Sequence, residues 1–296
     1  MIRILGTVFA TLFGLAFGSF LNVCLYRWPR ELSVTAPRSY CPHCHRQLLW
    51  WENIPLLSFI ILRGRCRTCH APIRWRYPLV ELAVASLWAL NTWALFPALQ
   101  GSELHSTYSY ITIANGFGRM IFYWMVVALA ALDLESLWLP NILTLTGLVI
   151  GFALNSFTPV LRYLAPPSRY KFTAGFEIEI RVAGELESIL AAAALILLIR
   201  GVYWLIRRRE GIGLGDAKLM ALLAAWLGLP GALLSFAIGV LLGALTALVL
   251  LAIPRKQSTT WAMHKLPLGT FLCIGGIVSS LWGQQILAAY LRWANF

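Results

Sequence analysis

The chain has 296 residues, of which 59% are hydrophobic and 12% charged, and it carries a formal net charge of +12. This composition excludes a disordered chain and argues against an ordinary soluble domain. The positive charge alone would be compatible with nucleic-acid binding. The basic residues cluster between long apolar runs, however, so we expect a membrane protein with no nucleic-acid partner.

Several apolar runs reach about 20 residues, the length that crosses a bilayer as a helix. None shows the strict alternation of a membrane strand. The pattern predicts an all-α polytopic membrane protein with about eight transmembrane helices. In chain order these are Ile4–Tyr26, Pro78–Leu99, Met120–Trp138, Asn141–Phe157, Leu186–Ile206, Ala217–Leu229, Ala232–Ile253 and Leu268–Leu291. A cleaved signal peptide is the alternative for the first run, but the run continues past Gly18 and is followed by Arg27 and Arg30, which favours a retained helix.

The basic residues predict the orientation. With the amino terminus outside, the inner loops are 27–77, 134–140, 207–218 and 254–266. Together these loops hold sixteen of the 24 Lys and Arg residues. This asymmetry is typical of a multi-pass protein whose basic loops face the cytoplasm. The surplus of basic charge also favours contact with anionic lipid.

The predicted domains are helix 1 at 1–26, a small cytosolic domain at 27–77 and a membrane domain at 78–296. The cytosolic domain contains two CxxC motifs separated by 21 residues. This spacing predicts one structural zinc site, because four thiolate ligands leave no open coordination position. The predicted ligands are Cys41, Cys44, Cys66 and Cys69.

Two alternatives apply to the cysteine cluster. Two disulfides, or four unrelated thiols, would also account for four cysteines, although disulfides rarely persist in a reducing cytosol. The neighbouring histidines His43, His45 and His70 are possible substitute ligands.

Ionisable groups in membrane helices are functional candidates because they are costly to bury in lipid. Asp133 lies near the inner end of the third predicted helix, and Asp216 opens the sixth on the same side. The predicted topology therefore brings both carboxylates to one depth, where they would share a proton. The ionised member can activate a water, and the protonated member can polarise a peptide carbonyl. Helix dipoles predict Asp216 as the base and Asp133 as the acid.

Each acidic residue also has a structural interpretation. Asp216 is compatible with an N-cap of the sixth helix, and Asp133 with an interfacial carboxylate paired to an inner-loop arginine. Glu81 is expected to pair with a nearby arginine such as Arg74 or Arg76. Glu135 is compatible with simple exposure to the cytosol.

The loop before Asp216 reads "GIGLGD". Gly213 and Gly215 are expected to allow positive φ values and close approach of a substrate backbone to the carboxylate. Lys218 is expected to add positive charge near Asp216.

Four segments resemble those of the bacterial type IV prepilin leader peptidase and N-methyltransferase family. Members of this family are membrane GxGD-type aspartic peptidases. The four segments are "GSFLNVCLYRWP", the cysteine segment "CPHCHRQLLWWENIPLLSFIILRGRCRTCHAPIRWRYPLVEL", "DLESLWLPN" and "GIGLGDAKLMALLAAWLG". The resemblance implies that Asp133 and Asp216 are the catalytic pair. It implies cleavage of a short basic leader from prepilins and pseudopilins at the cytoplasmic face of the bacterial inner membrane. It also implies methylation of the new amino terminus by S-adenosylmethionine, an activity associated with the cysteine domain.

Two segments depart from the family pattern. The outer loop 158–187 is longer than expected, and the alternating polarity of "KFTAGFEIEIRV" predicts a strand or hairpin within it. The segment "LPLGTFLCIGG" has Leu268 and Thr270 where the family usually has Phe and Pro.

Two other classes of protein fit parts of the pattern. One is a non-enzymatic transporter or assembly scaffold with a zinc-stabilised cytosolic domain. Paired acids at the membrane midplane would favour a transporter. The other is a GxGD protease that cuts other substrates within the bilayer, which the cysteine domain disfavours. Residues that bind S-adenosylmethionine are not assigned, because no Rossmann glycine pattern is present.

Overall fold

The computed structural model describes residues 1–100, 107–164, 174–209, 211, 213–252 and 266–294. This part of the chain is predominantly helical, and it contains no strand beyond two isolated bridges. The helices are α1 (Ile2–Arg27), α2 (Leu57–Ile61), α3 (Arg76–Gln100), α4 (Thr107–Ser136), α5 (Asn141–Leu164), α6 (Ala174–Arg207), α7 (Leu214–Ala252) and α8 (Leu268–Trp293). The chain forms two compact units, Met1–Ala131 and Leu132–Phe296.

The prediction of about eight apolar helical segments is confirmed. In the described part of the chain, α1, α3, α4, α6, α7 and α8 are long and apolar enough to cross a membrane, and α5 has a shorter apolar part at Asn141–Ser156. With its 39 residues, α7 measures about 58 Å, roughly twice the thickness of a bilayer core. Gly228 interrupts it with φ 69° and ψ 175°. The sixth and seventh predicted helices are therefore the two halves of α7.

The predicted strand or hairpin in the outer segment is wrong where the structure describes it. Helix α6 begins at Ala174, so residues 174–187 are helical, and 165–173 lie outside the described residues. The alternation is only a few residues long, and the same helix continues from it into a long apolar run. Once that run is helical, extending the helix adds one hydrogen bond per residue without a second nucleation cost.

In the first unit, small residues bring α1 and α3 close together. A Cβ at Gly14 would lie 2.7 Å from Ala85 Cα, and one at Gly18 would lie 2.7 Å from Glu81 Cα. Close backbone approach at small residues is the usual basis of helix packing in lipid. Asn22 adds a hydrogen bond from its amide nitrogen to the Tyr77 carbonyl at 3.0 Å.

In the second unit, α5 and α8 hold opposite halves of α7. Trp226 donates to the Gly147 carbonyl at 2.8 Å, which joins the first half of α7 to α5. Ser279 donates to the Gly231 carbonyl at 2.9 Å, which joins the second half to α8. Most side chains in the first three turns of α7 are buried, so the start of this helix has a defined position.

Candidate active site and metal centre

Asp133 lies in the last turn of α4, where a left-handed residue ends the helix. The Leu137 N–H donates to the Asp133 carbonyl at 2.9 Å, and Leu137 has φ 51°. This is a C-terminal cap of the kind usually made by glycine. Pro140 then caps α5, since its carbonyl accepts the N–H groups of Leu143 and Thr144 at 3.1 Å each. The short connection leaves the Asp133 side chain facing inward, with 5% of its surface exposed.

The Asp133 carboxylate binds the amino-terminal end of α8. Its Oδ2 accepts the Thr270 backbone N–H at 2.7 Å and the Thr270 hydroxyl at 3.2 Å. The N–H groups of a first helical turn have no partner within their own helix, and the helix dipole there favours an anion. Asp133 therefore caps α8 from another helix.

Asp216 lies in the first turn of α7, because this helix begins at Leu214 and not at the predicted Ala217. Its Oδ2 accepts the Gly213 N–H at 3.1 Å. Gly213 is the N-cap of α7, and Asp216 is the third residue of the helix. The Asp216 side chain accepts the N–H of the N-cap residue, which is half of a capping box, so Asp216 is not itself the N-cap. Among the described residues, its second oxygen has no hydrogen-bond partner and remains available.

The two carboxylates lie within electrostatic range of each other in the second unit, and the charge of Asp133 acts on Asp216. The fully buried thiol of Cys273 experiences both charges. Cys273 is one turn beyond Thr270 on α8, so the start of α8 borders both acids.

Leu139 packs between the starts of α7 and α8, beside the two acids. A Cβ at Gly215 would lie 3.2 Å from Leu139 Cδ1, and a Cβ at Gly269 would lie at the same distance from that atom. A Cβ at Gly269 would also lie 2.9 Å from Asp133 Oδ2. A Cβ at Gly269 would displace the Asp133 carboxylate, and a Cβ at Gly215 would require Leu139 to shift by a few tenths of an ångström. Neither Gly213 nor Gly215 has a positive φ, so that expectation is wrong.

The remaining predicted site residues have simpler contacts. A Cβ at Gly213 would lie 3.5 Å from Asp216 Oδ2, which is ordinary van der Waals contact. Lys218 donates to Asn141 Oδ1 at 2.7 Å, which ties the first turn of α7 to the start of α5. Lys218 makes no ion pair with Asp216, so its contribution to the site is to position α7.

Sequence reasoning missed Thr270, Gly269 and Leu139 as residues of this site. The only signal for Thr270 was its departure from the usual family residue. Proline would have no N–H to donate to Asp133.

The four predicted cysteine ligands converge in the first unit. Their Sγ atoms all lie within 4.8 Å of one another, and the cluster is able to hold a metal ion. The Cys41–Cys69 Sγ distance is 3.8 Å, and the Cys44–Cys66 Sγ distance is 4.0 Å. A tetrahedral zinc site with Zn–S bonds of about 2.3 Å has sulfur atoms about 3.8 Å apart. The spacing fits zinc and is too long for a disulfide, and all four cysteines are free.

The two CxxC motifs have the same backbone geometry. In the first, the Cys41 N–H donates to the Arg46 carbonyl and the His45 N–H to the Cys41 carbonyl, both at 2.9 Å. In the second, Cys66 and His70 repeat these bonds at 2.9 and 3.0 Å. His45 and His70 both have left-handed backbones, so each histidine closes its turn, and neither belongs to the metal-ligand cluster found among the described residues.

The environment of the cluster favours binding of a dication. Backbone N–H groups of Cys69 and Thr68 lower the pKa of Cys66 to about 6, although burial opposes this. For Cys69, the Ala71 N–H lowers the pKa, but burial and the neighbouring thiols raise it to about 11. A bound dication would stabilise the thiolate form of all four cysteines.

An ion pair supports the first motif. Arg46 donates to both oxygens of Glu52 at 2.7 and 2.9 Å, and the Leu49 N–H donates to Glu52 at 2.8 Å. Burial raises the pKa of Glu52, but these hydrogen bonds outweigh it and hold the pKa below its usual range.

The long apolar helices, the two aspartates of the second unit and the cysteine cluster define a multi-pass membrane protein with a four-cysteine domain. The model of the bacterial peptidase A24 N-terminal domain matches residues 12–95, and that of the type IV leader peptidase family matches residues 120–248. The chain belongs to the type IV leader peptidase family.

Its relatives include proteins named prepilin leader peptidase/N-methyltransferase. The one from Stutzerimonas stutzeri is 33% identical over 97% of this chain and 94% of its own length. The one from Aeromonas hydrophila is 32% identical over 95% of this chain and 92% of its own length. The one from Pseudomonas aeruginosa is 30% identical over 96% of this chain and 93% of its own length. No solved structure matches the chain significantly.

Proposed function

We propose that this protein is a membrane aspartic endopeptidase that removes the short basic leader from type IV prepilins and pseudopilins and then methylates the new amino terminus. Asp133 and Asp216 are its catalytic pair. The observation that carries the proposal is that both acids lie in one unit, each held by the amino-terminal end of a different helix, with Leu139 packed between those two ends. Membership of the type IV leader peptidase family supports the same reaction.

The hydrogen bonds support one placement of the shared proton. Asp133 accepts two hydrogen bonds from Thr270, whereas Asp216 accepts one from Gly213. Donors to a carboxylate stabilise its ionised form. Asp133 is therefore the base and Asp216 the acid in the resting pair, which is the reverse of the assignment from helix ends. That assignment placed Asp133 at a helix C-terminus and omitted α8.

The reaction then follows from this proton placement. Ionised Asp133 takes a proton from water, and the resulting hydroxide attacks the scissile carbonyl carbon. Protonated Asp216 donates its proton to the carbonyl oxygen, so the tetrahedral intermediate is neutral. Collapse of this intermediate returns a hydroxyl proton to Asp216 and breaks the C–N bond, and the proton held by Asp133 passes to the leaving amine. The products are the leader carboxylate and the mature amino terminus.

The cysteine cluster is proposed to hold a structural zinc ion through Cys41, Cys44, Cys66 and Cys69. Its role is to order the segment between α1 and α3. S-adenosylmethionine is proposed as the methyl donor, since the relatives are named as N-methyltransferases.

The protein is a multi-pass protein of the bacterial inner membrane. Its amino terminus is proposed to lie outside, with the cysteine domain and the two aspartates at the cytoplasmic face. The distribution of basic residues supports this orientation. Membership of the type IV leader peptidase family disfavours a transporter or scaffold.

The test is to incubate the full-length protein in membranes with a prepilin and S-adenosylmethionine and to identify the product by mass spectrometry. The expected product lacks the leader and carries one added methyl group on its new amino terminus. Intact prepilin after incubation with folded protein would overturn the peptidase assignment. A cleaved but unmethylated product would overturn only the second activity.

A further inference from the structure

The short helix α2 exposes an unusual apolar surface outside the long helices. In α2, Leu57, Ile60 and Ile61 are exposed to 49%, 69% and 58%. Clusters of exposed apolar residues on soluble segments mark sites of contact with proteins or membranes.

A hydrogen bond holds the start of α2 at the depth where α3 enters the membrane. The N–H of Leu56, the residue before α2, donates to Glu81 Oε2 at 2.8 Å. Glu81 is the sixth residue of α3, about 8 Å along the helix axis from its first residue. The Leu56 N–H is therefore one partner of this buried carboxylate.

An aromatic contact holds the middle of α2 near the start of α3. The rings of Phe59 and Trp75 lie 5.2 Å apart. Trp75 immediately precedes α3 and is 71% exposed. Tryptophan at the end of a membrane helix prefers the interface between lipid and water.

Basic residues follow α2 directly. Arg63, Arg65 and Arg67 line a cleft of about 540 Å³ together with Ile61 and His70. Within the described chain, neither Arg63 nor Arg65 has a carboxylate partner, since Glu52 is paired with Arg46. Segment 27–77 as a whole contains nine arginines and two glutamates.

We propose that α2 and this cleft form a binding site for an anionic phospholipid of the surrounding bilayer. Ile60 and Ile61 enter the boundary between headgroups and acyl chains, and the guanidinium groups of Arg63 and Arg65 bind the headgroup phosphate. Arginine matches phosphate geometry through paired N–H donors. A free anion would account for the cleft but not for the adjacent apolar helix. The site does not depend on the proposed peptidase activity.

The test is native mass spectrometry of the detergent-solubilised full-length protein, titrated with phosphatidylglycerol and with phosphatidylcholine. The test variant is Arg63→Gln/Arg65→Gln, and the matched control is Arg208→Gln/Arg209→Gln. The control removes the same number of positive charges from another loop. Its Arg208 matches Arg63 in backbone conformation, with φ 53° and 49° respectively. Zinc content reports whether the cysteine domain is folded.

The wild type is expected to bind phosphatidylglycerol more tightly than phosphatidylcholine. Each basic residue near the membrane surface contributes roughly a fivefold preference for anionic lipid, so the test variant is expected to bind phosphatidylglycerol about 30-fold more weakly. The control variant is expected to resemble the wild type. Ile60→Ser is expected to weaken binding of both lipids. The wild-type preference is expected to fall as salt rises from 0.05 to 0.5 M, because arginine–phosphate contacts are screened.

Several results would overturn the proposal. One is a wild type with no preference between the lipids, or with a preference that does not change with salt. A second is an equal loss in the control variant, which would indicate general charge attraction. A third is displacement of phosphatidylglycerol by inorganic phosphate at equal concentration, which would make the cleft a free-anion site. A fourth is displacement by a prepilin, which would make it a substrate surface. If the test variant loses its zinc, Ile60→Ser decides the matter, because unchanged binding of both lipids by that variant would remove α2 from the site.

Discussion

The backbone N–H of Thr270 lies 2.7 Å from Asp133 Oδ2, which joins the start of α8 to a carboxylate 137 residues away in the sequence. The Thr270 hydroxyl adds a second, longer bond to the same oxygen. The orientation of Asp133 is therefore set by a residue at which this chain differs from the usual family pattern. Thr270 acts in this account as a positioning residue.

Removing the Thr270 hydroxyl should slow cleavage without weakening substrate binding. Thr270→Val keeps the backbone N–H and the side-chain shape, and it removes one hydrogen bond to a charged group. Such a bond is worth about 1.5 kcal/mol, so kcat should fall about tenfold with KM unchanged. Thr270→Ser should restore kcat. Steady-state kinetics on a model prepilin measure both quantities, and equal kcat in all three proteins would show that the hydroxyl has no positioning role.

Adding a methyl group at Gly269 should displace the Asp133 carboxylate. In Gly269→Ala the new Cβ would lie 2.9 Å from Asp133 Oδ2, closer than a carbon can approach without a shift. A displacement on the order of 1 Å can lower the rate about 100-fold, and that is the expected loss in kcat. Gly201→Ala is the matched control, because nothing lies within 4 Å of a Cβ there. Wild-type cleavage by Gly269→Ala would contradict the described geometry of the site.

Losing one thiol from the four-cysteine cluster should release the metal. Cys66→Ser is expected to lower the zinc content from about one ion per chain to near zero, and to lower the midpoint of thermal unfolding, because metal-binding energy is also folding energy in such sites. Cys24→Ala is the control, since this buried cysteine lies outside the cluster and should leave the zinc content unchanged. Elemental analysis of the purified protein measures the result. Full zinc occupancy in Cys66→Ser would show that this thiol is not a ligand.

Accessibility labelling should establish the orientation. With the amino terminus outside, Ile2→Cys should react with a membrane-impermeant maleimide in spheroplasts. Arg209→Cys should react only after lysis, and unmodified protein gives the background from native cysteines. The opposite pattern would place the cysteine domain outside and would remove the basis for expecting reduced thiols there.

Periodicity and charge predicted the long helices, because lipid requires long uninterrupted apolar runs. They also predicted the positions of Asp133 and Asp216 at helix ends. The strand expected near residues 174–182 failed, because a short alternation cannot compete with the helix that continues from it. The contact of Thr270 with Asp133 was not predictable, since it depends on how α8 packs against α4. For the same reason, the proposal that Asp133 is the base, which differs from the prediction from helix ends, rests on a contact with α8.

The most direct test is leader cleavage in membranes by Asp133→Asn and Asp216→Asn, with Glu135→Gln as a control that removes a nearby exposed carboxylate. Asparagine can still accept the N–H groups of Thr270 and Gly213, so each substitution preserves the caps and removes only the ability to ionise. The account predicts that each aspartate variant loses cleavage while remaining folded and zinc-loaded, and that Glu135→Gln cleaves normally. Near wild-type cleavage by either aspartate variant would show that this residue is structural and would contradict the paired-aspartate mechanism.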